Sequence, residues 1–219
     1  MAELTIALAG NPNAGKTTIF NALTGLRQHT GNWPGKTVEK KEGEIELEGR
    51  TINIVDLPGT YSLTAYSPEE IIARDFIIEQ HPDVVINVVD ATNLERNLYL
   101  TVQILELDVP VVLALNMTDD LQKNGAKINV DLLSQLLGNI PVVQTAANKG
   151  KGISQLISKA VRMATRGSSW RKAGGWTRPL PVSRRRWRSI RTTRRGWSWR
   201  ASMPSRNGIL PAPASISSA

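Results

Sequence analysis

The sequence predicts an α/β domain, a mostly parallel six-stranded sheet with helices on both faces, followed by a C-terminal tail expected to be disordered. Three observations predict it. From Leu4 to Thr165, short Val/Ile/Leu-rich runs alternate with segments of helical period, the pattern of strands buried on both faces by crossover helices. A turn containing Gly, Asn and Pro separates the first apolar run from the first helical segment, at the carboxyl end of a strand where such sheets bind ligands. Near Arg166 the composition changes abruptly, and no sustained period of 2 or 3.6 continues beyond it.

Each element has a local reason. Residues 4–9 form a buried apolar run, and the helix after the turn runs from about Thr17 to Thr24. Two strands follow, 38–47 and 51–56, joined by Glu48-Gly49-Arg50, a hairpin-type turn. After a loop over 57–67, Pro68 stands where a helix start tolerates it, with Ser67 as its cap, and that helix runs to about Gln80. Strands at 84–90, 111–116 and 142–144 then alternate with helices at 94–107, 130–137 and 153–165. There is no internal repeat.

Composition excludes several classes. The 219 residues are 41% hydrophobic, enough for a packed core. No apolar run approaches the roughly 18 to 20 residues of a membrane span, and no charged-then-apolar leader follows Met1, so the chain as it stands is expected to be soluble, unexported and cytoplasmic. With no cysteine there is no disulfide scaffold, thiol catalysis or Cys-ligated metal, and His29 and His81 are the only histidines. The net charge of +8 divides unevenly. Residues 1–165 carry 14 basic and 19 acidic residues, whereas residues 166–219 carry 13 basic residues and no acid. The first part is therefore acidic, which argues against nucleic acid as its partner.

The strongest chemical signal is Gly10-Asn11-Pro12-Asn13-Ala14-Gly15-Lys16-Thr17, a G-x-x-x-x-G-K-[ST] phosphate loop between a strand and a helix. Such a turn aims successive N–H groups at phosphate oxygens, and the following helix adds its positive end. Lys16 would reach the β and γ phosphates and the Thr17 hydroxyl would ligate Mg2+. Next, Asp56-Leu57-Pro58-Gly59 closes a neighbouring strand. Alone it reads as a turn; behind a phosphate loop, Asp56 becomes a Mg2+ ligand through water and the Gly59 N–H can approach the γ phosphate. Asn116-Met117-Thr118-Asp119 closes a further strand. In isolation it is ordinary loop chemistry; in this order, Asp119 can accept both the N1–H and the N2–H of guanine, while Asn116 ties the base loop to the phosphate loop. Finally, Thr145-Ala146-Ala147 could offer the Ala146 N–H to the guanine O6.

Two polar loops are candidates for moving parts. Residues 27–37 include His29, Trp33, Gly35 and Thr37, the last available as a second Mg2+ ligand. His29 reads more simply as a solvated loop residue, and Trp33 as either a lid over the nucleotide or a contact for a partner. Residues 59–67 form the second loop, and both could order around a γ phosphate and relax after hydrolysis.

With these pieces in order, residues 2–165 resemble the P-loop NTPase fold of small GTPases, and specifically the G domain of the ferrous iron transport protein B family. The residues that carry the likeness are the phosphate loop, Gly31-Asn32-Trp33-Pro34-Gly35 leading to Thr37-Val38-Glu39-Lys40, Asp56-Leu57-Pro58-Gly59-Thr60-Tyr61-Ser62-Leu63, Val89-Asp90-Ala91 with the segment 94–100, and Asn116-Met117-Thr118-Asp119. The resemblance covers about three quarters of the chain. It implies binding and slow hydrolysis of GTP on the cytoplasmic face of an iron(II) transporter, with GTP/GDP, Mg2+ and K+ as ligands. Its implied nucleotide contacts run through Thr18 and add Gly35, Thr37, Met117 and Thr145 to Ala147 to those above. Lys16, Asn13, Thr37 and Gly59 are the implied catalytic groups, and Asn13 resembles the asparagine that holds K+ beside the phosphates. Thr60 stands where many small GTPases carry a water-positioning glutamine, so turnover should be slow.

Two departures accompany the resemblance. Thr145-Ala146-Ala147 lacks the Ser-Ala pair common at the base-contacting position, and the family's helical spacer and membrane domain do not appear beyond Thr165. The tail instead holds five of the six tryptophans among its arginines. It reads as an arm for anionic lipid or nucleic acid, as a solvated disordered tail, or as an out-of-frame translation of G+C-rich coding sequence. Competing functions are a nucleotide-dependent switch with incidental hydrolysis, and a standalone GTPase that uses the tail on RNA or the ribosome.

Overall fold

The computed structural model describes residues 4–25 and 27–172, with backbone alone for 166–172. Its sheet has seven strands in the order β2-β3-β4-β1-β5-β6-β7. The central strands are β1 (Leu4–Gly10), β4 (Arg50–Asp56), β5 (Val84–Asp90), β6 (Val111–Asn116) and the short β7 (Val142–Gln144), and all pair in parallel. Their near-continuous burial follows from Val, Ile and Leu runs covered on both faces. At one edge, β3 (Glu39–Leu47) and β2 (Gln28–Asn32) run antiparallel. The β3–β4 turn is Glu48-Gly49, with φ of 51° and 69°. Two positive φ values make the mirror-image turn whose twist suits a two-residue hairpin, and they pair Leu47 with Arg50.

Helices cover both faces. On one side α1 (Lys16–Thr24) and α6 (Ile153–Lys172) bury Ile19, Phe20, Leu156 and Ala160 against Ile6, Leu8, Ile54, Ile86 and Ala114. Strand residues alternate faces, so Asn87 turns to the other side, where its amide donates to the Thr101 hydroxyl of α3 (Leu94–Glu106) at 2.6 Å. Also present are α2 (Pro68–Gln80), α4 (Thr118–Lys123) and α5 (Val130–Leu136). α2 starts as its sequence dictates: Pro68 occupies the first turn, and the Ser67 hydroxyl accepts the Glu70 N–H at 3.2 Å.

Three features differ from the sequence reading. A seventh strand, β2, lies inside the segment expected to be a mobile loop. Its residues are polar and mostly exposed, so no apolar pattern marks it, and it exists through its ladder with β3, Gln28 to Asn32 opposite Gly43 to Glu39. α4 buries no residue and so leaves no amphipathic trace. α6 continues past Thr165 through Lys172. The rest of the tail, including the proposed lipid- or nucleic-acid-binding arm, lies outside the described residues. Among the described residues no helix is long and apolar enough to cross a membrane.

Candidate functional site

The candidate site is assembled where β1, β4, β6 and β7 end. β1 terminates at Gly10, in register with Val88 of β5, and a Cβ there would stand 2.5 Å from the Val88 carbonyl oxygen. The backbone can leave the sheet only without a side chain at that point. The loop turns on the Ala14 N–H bonding to the Asn11 carbonyl at 3.2 Å and passes through Asn13 and Gly15 at φ of 66° and 86°. Gly15 meets a second demand besides its left-handed backbone, since a Cβ would fall 2.2 Å from the Asn116 amide nitrogen. α1 begins directly after it, with the Ile19 N–H on the Gly15 carbonyl.

Lys16 and Asp56 are brought together as a buried ion pair. Burial pushes the Asp56 carboxyl above its ordinary value, and the Lys16 ammonium opposes that rise, with smaller help from Lys41 and the Thr17 hydroxyl. The Thr17 hydroxyl thus lies close to the Asp56 carboxylate. β4 carries on past Asp56 alongside β1: the Leu57 N–H reaches the Leu8 carbonyl at 3.0 Å and the Thr60 N–H reaches that of Gly10 at 3.2 Å. Gly59 thereby lies against Pro12, where a Cβ would come within 3.3 Å of the Pro12 Cα.

Asn116, 3% exposed, is the hub. Its Nδ2 donates to the Ala14 carbonyl at 3.0 Å, and its Oδ1 accepts the Thr145 hydroxyl and the Ala147 N–H, each at 3.1 Å. The Thr118 hydroxyl reinforces the junction by donating to the Thr145 carbonyl at 2.9 Å. Met117 takes φ of 59° to turn the chain into α4, and Asp119 sits in that helix's first turn. Its Oδ2 is 2.7 Å from the Lys149 ammonium, which holds the carboxyl below its usual range. The Ala146 N–H donates to the Lys151 carbonyl at 3.1 Å. The expected contact of that N–H with guanine O6 would require this bond to open.

Side-chain contacts engage parts of both loops. Trp33, 8% exposed, packs edge-on against Phe76 of α2 at 5.6 Å with the Lys40 ammonium over its ring. Trp33 is thus a brace between β2–β3 and α2, and its indole is not an exposed lid. Gly35 and Thr37 are exposed in the turn beyond it, and His29 lies on the edge strand opposite Glu42. In the segment 59–67, Glu70 accepts from the Ser62 and Thr64 hydroxyls and the Tyr66 N–H at 2.7, 3.2 and 3.0 Å. Those bonds, the Ser62 one foremost, hold its carboxyl below the usual glutamate range. The Leu63 N–H donates to Gln103 of α3 at 2.7 Å, and the Arg96 guanidinium stacks over Tyr61 at 4.2 Å. Thr60 is buried, and its hydroxyl donates to the Ser62 carbonyl at 2.6 Å.

The sequence reading missed Glu70, Gln103 and Lys149. Only Glu70 had a local signal, three residues after the Ser67 cap; the others act across 40 and 30 residues of chain.

The donor set can be compared with the expected cations. A hydroxyl at Thr17 beside a single buried carboxylate at Asp56 suits Mg2+, which keeps several waters and takes one or two protein oxygens. Among the described residues no three His, Cys, Asp or Glu side chains gather to form an all-protein metal cage. The exposed Asn13 side chain at the loop apex can offer one amide oxygen to K+.

A phosphate loop clamped to an Asn-x-x-Asp loop at the carboxyl edge of this sheet is the architecture of a P-loop GTPase G domain. The chain belongs to the ferrous iron transport protein B family, whose sequence model matches residues 4–160. It is 54% identical over 160 residues to the Fe(2+) transporter FeoB of Salmonella typhimurium and 52% identical to that of Escherichia coli K12. Each match covers 71% of this chain and 21% of the relative, so the chain spans about a fifth of those proteins' length. Among solved structures it resembles the FeoB G domain of Methanococcus jannaschii, with TM-score 0.66, 50% identity and coverage of 76% of this chain and 99% of that one. It also resembles a GDP form of the cytosolic domain of T. maritima FeoB, with TM-score 0.73, 48% identity and coverage of 75% and 65%.

Proposed function

We propose that residues 1–165 form a guanine-nucleotide-binding domain that hydrolyses GTP slowly to GDP and phosphate, and that it serves as the cytosolic regulatory part of a ferrous iron transporter. The observation that carries this reading is the Asn116 junction, which hydrogen-bonds the phosphate loop to the base loop. Support also comes from GDP-bound FeoB structures that the fold resembles, an S. thermophilus NFeoB mutant and the cytosolic domain of T. maritima FeoB.

In this reading the N–H groups of residues 10–18 cradle the phosphates, with Lys16 moving from Asp56 to the β and γ oxygens. Asp56 is then free to accept from metal-bound water, and Thr17 and Thr37 complete the Mg2+ ligands. That ion would neutralise charge on the transferred phosphoryl group. K+ held at Asn13 would add to the same neutralisation. For Thr37 to arrive, the exposed turn beyond Trp33 must fold inward. Asp119 selects guanine by accepting N1–H and N2–H together, and Met117, Thr145, Ala146 and Ala147 border the base. In hydrolysis, a water oxygen bonds to the γ phosphorus as the bond to the β-bridging oxygen breaks, and the water proton passes to the released phosphate. The Gly59 N–H is the backbone donor toward the γ phosphate.

Slow turnover follows from Thr60 standing where a water-positioning glutamine would supply an amide, with its hydroxyl already donated to the Ser62 carbonyl. The same bond favours a second reading, a nucleotide-dependent switch in which hydrolysis is incidental. Single-turnover GTP hydrolysis with and without K+ separates the two. A measurable, K+-accelerated rate supports the hydrolase, and negligible hydrolysis in both conditions leaves the switch. The transporter role is tested by joining residues 1–165 to a relative's membrane domain; iron(II) uptake that ignores GTP-site mutations would contradict it.

A further inference from the structure

Asp119 meets a cation before any base arrives. Its side chain is 13% exposed and its Oδ2 is paired with the Lys149 ammonium at 2.7 Å, while among the described residues Oδ1 has no hydrogen-bond partner. The neighbouring cation Lys123 is engaged elsewhere, 2.7 Å from Asp120. Lys149 itself ends the short turn Ala147–Lys149, whose first N–H is held by Asn116, and its own N–H bonds to the Ala146 carbonyl at 2.9 Å. The hub that positions the base loop therefore also delivers the ammonium to the carboxylate. At 46% exposure the Lys149 side chain has solvent to withdraw into.

We propose that Lys149 is a positioning residue that tunes guanine affinity by competing for Asp119: it holds the carboxylate as a counter-ion in the free protein and yields Oδ2 when guanine docks. The proposal rests on the base-recognition reading above. A bidentate contact needs both carboxylate oxygens with their full charge, so each binding event must displace or share the ammonium. Half-exposed ion pairs are weak enough to be displaced. Lys149 then lowers affinity for guanine alone, because adenine presents no donor pair to Asp119.

The test uses the full chain, with GDP, ADP and xanthosine diphosphate binding measured for wild type, Lys149→Met, Lys149→Arg, Asp119→Asn and the double variant Asp119→Asn/Lys149→Met. The expected result is GDP binding tightened about two- to fivefold in Lys149→Met, ADP unchanged, wild-type behaviour in Lys149→Arg, and no effect of Lys149→Met once Asp119 is Asn. Unchanged or weaker GDP binding in Lys149→Met, or the same tightening in the Asp119→Asn background, overturns it. The Asp119→Asn variant alone reports on the underlying reading: it should exchange GDP preference for xanthosine diphosphate, and failure to do so rejects base recognition by Asp119 whatever Lys149 does.

Discussion

The Asn116 amide donates to the Ala14 carbonyl at 3.0 Å, joining positions 102 residues apart in the chain. Asn116→Ala removes that bond and both acceptor bonds, leaving the buried Ala14 oxygen and Ala147 N–H unpaired. Unpaired buried groups cost about 1–3 kcal/mol each, so the nucleotide-free domain should lose about 3 kcal/mol in chemical denaturation, with GDP binding weakened at least about tenfold. Asn116→Asp keeps the acceptors and places an oxygen against the Ala14 carbonyl. It should lose nucleotide affinity out of proportion to its loss of stability.

Gly15→Ala should disable the same junction from the other side. An added Cβ would sit 2.2 Å from the Asn116 nitrogen in a left-handed backbone. Gly31 has open space around it, so Gly31→Ala is the control. Calorimetric titration with GDP should show a loss of about tenfold or more for Gly15→Ala and little change for Gly31→Ala. Equal affinities would contradict the geometry.

Glu70 and Gln103 should set the order of residues 60–67. Glu70→Gln and Gln103→Leu each remove an acceptor from that segment, and hydrogen exchange at Leu63 and Tyr66 should quicken while the sheet stays protected. The sign of the pH effect follows from the lowered Glu70 pKa. Its contribution is present above the unfolded glutamate value of about 4.3 and is lost as pH falls through the lower folded value. Protection factors in 60–67, relative to intrinsic exchange, should therefore fall at the acid end in wild type and be flat there in Glu70→Gln.

Asp56 behaves in the opposite sense. Its folded pKa is raised, so its protonated form favours the nucleotide-free fold, and that contribution is present below the unfolded value and lost as pH rises through the folded one. Mg2+ needs the ionised carboxylate, so the Mg2+-dependent gain in GTP-analogue affinity should shrink as pH falls through the raised folded value. In Asp56→Asn that gain should be absent at every pH.

What was legible in the sequence had a local cause. The central strands announce themselves through Val and Ile runs, and α2 through Ser67 and Pro68. The phosphate loop and the Asn116 to Asp119 segment were readable because their backbone and ligand demands admit few residue types. β2 and α4 were not, since the first is held by its neighbour's ladder and the second buries no residue. Trp33 could be placed in a loop by sequence, but its brace against Phe76 depends on how two distant elements pack. The commitments of Thr60 and of the Ala146 N–H were equally invisible, because each is fixed by a partner carbonyl that any residue could supply.

The proposed function requires that Asp119 select guanine on a platform fixed by Asn116. Displacement of a fluorescent GDP derivative from the full chain by unlabelled GTP and by ATP tests it most directly. Displacement by GTP is expected at concentrations at least about a hundredfold below those needed for ATP. Equal displacement by the two nucleotides would contradict it.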